Sequence, residues 1–121
     1  MQKIVINKCF GGFGLSTEGF EHYLKLKNIA YESQPSKWEW LKGDKDYYEA
    51  GHLGADAHYL SDRGLDRNDP ALIQTVEDLG TKANGRYAKL TIIEIPDGVE
   101  WQIEEYDGNE WIAEKHRTWG D

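Results

Sequence analysis

Chemistry in this chain is concentrated in three places. The first is Phe10-Gly11-Gly12-Phe13-Gly14, which follows a β-prone run at 3–9 and precedes Ser16, a residue suited to opening a helix. A strand, a glycine-rich loop and a helix N-terminus can together hold an anion, because free amides converge where glycine lets a ligand approach. Gly11, Gly12 and Phe13 are the candidates there. Neither GxxxxGK[ST] nor GxGxxG is present, so a tight strand-to-helix turn explains the same glycines. The second place is Arg67, just before a helix start, whose planar fork could match a phosphate bidentately. The third is the C-terminal stretch holding Trp101, Glu104, His116 and Arg117. Aromatic faces stack on bases, and carboxylates accept from sugar hydroxyls. Arg117 could instead pair across a sheet with Glu104 or Glu105.

The elements that must position these residues are partly legible. Residues 88–118 contain three β-prone runs, near 88–95, 99–106 and 110–118, rich in isoleucine and tryptophan. Pro96-Asp97-Gly98 and Asp107-Gly108-Asn109 are turn chemistry between them, so a C-terminal three-stranded meander is expected. In the last run, alternation puts Lys115, Arg117 and Trp119 on one face. Asp69 followed by Pro70 starts a helix, Leu72, Ile73, Val76 and Leu79 form its apolar stripe, and Gly80 stops it. An earlier helix opens at Ser16, with Phe20, Tyr23 and Leu24 on one face. The stretch 29–66 reads as an excursion, a short hairpin and a helical turn, with too many aromatics for a disordered linker. Glu49, His52, Asp56 and His58 lie in it at spacings that match no metal motif. The expected fold is α+β: an antiparallel or mixed sheet of about four strands with two helices on one face.

The chain has 121 residues, enough for one domain spanning 1–121. No apolar run approaches the roughly 20 residues of a membrane helix. The start lacks the apolar core of a signal peptide, and a single cysteine suits a reducing compartment, so a cytosolic, membrane-free protein is expected. Net charge is −8, which disfavours binding to nucleic acid polymers. That acidity serves either solubility or mimicry toward a basic partner. Cys9 and the four histidines form no nucleophile–base pattern, with His116 beside Glu114 the nearest approach to one. No enzyme, metal or cofactor is expected.

NKCFGGFGLS at 7–16 and IEEYDGNEWIAEKHRTW at 103–119, with RNDPALIQTVEDLG at 67–80 between them, resemble small proteins of phages and prophages. Among groups with an assigned function, these stretches resemble the Thoeris anti-defence family of phage sponges. The resemblance omits 29–66 and brings no catalytic signature. It implies a protein of the host cytoplasm that sequesters cyclic ADP-ribose isomers made by a TIR immune enzyme, without cleaving them. It also implies a homo-oligomer, dimeric or higher, and a possible second ligand class in cyclic oligonucleotides. The rival function is an acidic inhibitor that binds a host defence protein directly. A sponge gathers basic and aromatic residues in a concave site, whereas a mimic presents a continuous acidic face.

Overall fold

The computed structural model describes residues 1–35, 45–49 and 59–115. Strand β1 (Gln2–Asn7) is the centre of the fold, and Ile4, Val5, Ile6 and Asn7 in it are fully buried. Its alternation sends Val5 toward the helices and Ile4 and Ile6 to the opposite face. Helix α1 (Thr17–Leu26) is capped by Ser16, whose side chain accepts from the Gly19 amide. Helix α2 (Pro70–Leu79) is capped by Asp69, which accepts from the Ala71 amide, and it ends at Gly80 with φ 56°. A 3₁₀ turn at Gly80–Ala83 follows. Phe20, Tyr23 and Leu24 of α1 meet Leu72 and Val76 of α2 around Val5 in the core.

The excursion is a small antiparallel sheet in the order β2 (Tyr31–Pro35), β3 (Lys45–Glu49), β4 (Tyr59–Leu60). It docks through Tyr47, whose ring meets Phe20 edge-on at 5.1 Å and whose hydroxyl donates to Glu21. Tyr31 donates to the same carboxylate. No helix occurs between 29 and 66 among the described residues. His52, Asp56 and His58 lie outside the described residues.

The fold is α+β, with two helices against one sheet face, but the described strands form three separate antiparallel sheets of two, three and two strands in place of one sheet of about four. Strands β5 (Leu90–Ile95) and β6 (Trp101–Tyr106) fall where expected, while β7 (Asn109–Glu114) ends before Lys115, and 116–118 of the expected run lie outside the described residues. Their pairing is not one continuous meander: β6 and β7 form a hairpin, while β5 pairs antiparallel with β1, Ile4 opposite Ile93. The connection 96–100 explains this. The Gln2 side-chain amide donates to Pro96 O and Val99 O, tying that loop to the start of β1. The hairpin therefore leans over the sheet face that the helices leave open, which buries Ile4 and Ile6.

Candidate functional site

Two polar or aromatic centres emerge, and they differ in kind. The first is a junction along the free edge of β1. The Lys8 amide donates to Lys89 O on the β5 side, so alternation turns the Val5 and Asn7 amides to the other edge. There the Val5 amide donates to Arg67 O, and the Asn7 amide donates to Glu110 Oε1 at 2.7 Å. Arg67 closes the set bidentately, with Nη1 on Glu110 Oε1 at 2.6 Å and Nη2 on Oε2 at 2.9 Å. Its guanidinium lies 3.7 Å from the centre of the Phe13 ring. Glu110 is only 6 % exposed. An unpaired sheet edge would leave buried amides unsatisfied; the Arg67 backbone carbonyl satisfies that of Val5 and the Glu110 carboxylate that of Asn7.

Arg67 and Phe13 are thus brought together, as parts of a buried structural contact. A ligand phosphate would have to displace Glu110 to use the Arg67 fork. The glycine loop is also committed. Gly11 and Gly12 have φ near +125°, and the Gly11 amide donates to Asp107 O. A Cβ on Gly108 would lie 2.5 Å from Gly12 N, so the β6–β7 turn sits directly on the loop. The Leu15 amide donates to Asp62 Oδ2 at 2.8 Å, and the Ser16 amide to Ala83 O. These contacts match the tight-turn reading of the glycines. Asn7 knits the same junction, donating to Cys9 O and Gly108 O while accepting from the Lys89 amide.

The second centre is a cleft of about 430 Å³ between the β1–β5 sheet and the hairpin. Ile6, Ile93, Ile95 and Ile112 form its apolar surface, Trp101 adds an indole, and Trp111 borders it from the strand whose alternation turns the Trp111 ring to the hairpin's other face. Pro96 and Val99 close one end; Lys8 and Glu114 are its charged lining groups. That volume falls in the range of small-molecule sites, roughly 300–1,000 Å³. Trp101 is therefore where a ligand could reach it. Glu104 lies opposite Trp111 in the hairpin register and accepts from the Trp111 indole N–H at 3.0 Å, so its part is to fix that ring. His116 and Arg117 lie outside the described residues.

No protein-family model, curated protein or solved structure matches this chain. Function must therefore be argued from the cleft itself. Sequence reasoning passed over Lys8, Ile93, Ile95 and Glu114 there. The i, i+2 spacing of Ile93 and Ile95 showed a shared face, but nothing local showed that the hairpin would leave that face partly open.

The remaining titratable clusters read as staples between elements. Burial pushes the Tyr23 phenol far above its ordinary range, and its hydrogen bond to Asp69 at 2.8 Å adds to this. Burial also raises Tyr47, reinforced by its bond to Glu21. Burial opposes ionisation of Asp69, but donors from Ala71, Tyr23 and Lys27 together hold its carboxyl below the ordinary value. His22 and Asp78 pair across α1 and α2 at 2.8 Å, and the His22 hydrogen bond, followed by that of Gln74, keeps Asp78 low. No helix among the described residues is long and apolar enough to cross a membrane.

Proposed function

We propose that the protein binds a small cyclic nucleotide signal and withholds it without cleaving it, as the phage sponges it resembles do. The observation that carries this reading is the cleft, in which the Trp101 indole and a lysine line one apolar hollow of ligand size. Indole faces suit a base, for about 1–3 kcal/mol per stacked ring. Lys8 brings a positive charge to the cleft of a chain whose net charge is −8. Apolar walls exclude water from the base while the phosphates stay near the rim. The fold in this reading is a rigid holder, with the junction fixing the hairpin that forms one wall.

The test is calorimetric titration with cyclic ADP-ribose isomers, cyclic dinucleotides and cyclic trinucleotides, followed by heat release and mass analysis of the ligand. Saturable binding and recovery of intact ligand are expected. A hydrolysed product at more than stoichiometric yield would replace the sponge with an enzyme. The same reading makes the chain a homo-oligomer, and Phe10, Tyr87 and Tyr106, each at least 60 % exposed, supply apolar surface for it. Light scattering should then give a mass above the 13.9 kDa of one chain.

A further inference from the structure

We infer that the cleft reads its ligand with a direction: phosphate at Lys8, and a base edge carrying an exocyclic amine at Glu114. This rests on the nucleotide-binding reading and specifies it. The Lys8 ammonium donates to Glu110 O at 3.2 Å, which fixes it beside the start of β7. Glu114 is the last residue of β7 and stands opposite Trp101 in the register. Position 114 is four rises beyond 110, so at about 3.3 Å each the two charged groups lie some 13 Å apart along the strand. Between them the lining is isoleucine and indole.

A cation at one end and a carboxylate at the other select a ligand with the opposite polarity. An ammonium has three donors and no acceptor, and one of its donors is already used on Glu110 O. An ionised carboxylate only accepts, so it favours an N–H edge and repels a carbonyl or bare ring-nitrogen edge. Trp111 adds nothing to this choice, because its only N–H is held by Glu104. Trp101, directly across from Glu114, is placed to lie against the base whose amine Glu114 accepts. Adenine presents such an amine; unsubstituted purine, with hydrogen in place of the 6-amino group, lacks it and changes little else.

Cyclic ADP-ribose, cyclic di-AMP and cyclic AMP, each paired with its 6-deamino counterpart, test the inference by titration calorimetry. The amine-bearing member of a bound pair should bind about threefold to tenfold more tightly, the worth of one partly exposed hydrogen bond. That ratio should shrink in Glu114→Gln, which keeps a neutral acceptor, and collapse toward one in Glu114→Ala, both at an exposed position where folding is retained. Lys8→Ala should weaken both members of a pair equally and leave their ratio intact. Tight binding with no amine preference, or a preference that survives both Glu114 variants, would overturn the direction while leaving nucleotide binding in place. Failure of every nucleotide to bind would overturn both.

Discussion

The junction at Arg67 and the cleft at Trp101 lie toward opposite ends of the same hairpin strand, with Glu110 near the start of β7 and Glu114 at its end, yet they use their polar groups in opposite ways. At the junction every named polar group is spent inside the protein. Glu110 takes two bonds from Arg67 and one from the Asn7 amide, and Asn7 holds three loops together. In the cleft apolar surface predominates, and the carboxylate of Glu114 stands exposed. A satisfied polar centre resists change and recruits nothing; an open apolar hollow with a few charges at its ends has binding free energy still to gain. Arginine beside an aromatic ring is therefore not by itself a ligand site. What separates the two cases is whether an internal carboxylate already occupies the fork.

The largest effect expected from this contrast is at Glu110. Glu110→Ala leaves Arg67 and the Asn7 amide without their partner, and should cost about 3–5 kcal/mol in urea denaturation. Replacing both members, Arg67→Met with Glu110→Leu, should recover part of that loss. A single-variant cost below about 1 kcal/mol would place the pair among weak surface bridges and erase the distinction.

Next is the glycine contact. Gly108→Ala forces a Cβ into Gly12 N and strains a φ of 88°, so a loss of about 2–3 kcal/mol is expected. Gly12→Ala meets no atom within 4 Å and carries only the backbone strain, so it should lose less, about 1–2 kcal/mol. If Gly12→Val were to weaken nucleotide binding far more than stability, an anion would sit on the loop after all, and the junction would have to be counted as functional.

The cleft should respond in the reverse order. Trp101→Ala should weaken nucleotide binding by about 1–3 kcal/mol, the worth of one stacked base, with a smaller loss of stability because the ring is only half-buried. Trp101→Phe should restore most of the affinity. Equal losses of binding and stability in Trp101→Ala would make the indole part of the core.

The smallest effect is a pH dependence that belongs to neither region. Tyr23 and Tyr47 have folded-state pKa values above their unfolded ones, so the folded protein keeps its phenolic protons when the unfolded chain releases them. Their stabilising contribution is complete below the unfolded value of about 10 and is lost as pH rises from there through the folded values. Urea midpoints should fall above that pH, and Tyr23→Phe with Tyr47→Phe should flatten the fall. A midpoint that stays level in the wild type would contradict the buried hydroxyl–carboxylate contacts.

Sequence alone determined the local elements of this protein. Ser16 and Asp69-Pro70 mark helix starts because capping is a matter of a few adjacent residues, and both caps form as those residues dictate. The Asp107-Gly108 turn likewise closes the β6–β7 hairpin, with Asp107 at φ 51° and Gly108 at 88°. Only the tertiary structure decided which strand β5 would join, because isoleucine alternation suits either neighbour; β5 pairs with β1 from the other end of the chain, where Gln2 also bonds to the 96–100 loop. It also decided that Arg67 meets Glu110, 43 residues away, rather than standing open to a phosphate. Residue type sets what a side chain can bind. Which partner reaches it first depends on long-range packing, and that is why Lys8 and Glu114 became ends of a cleft while Arg67 became part of the frame.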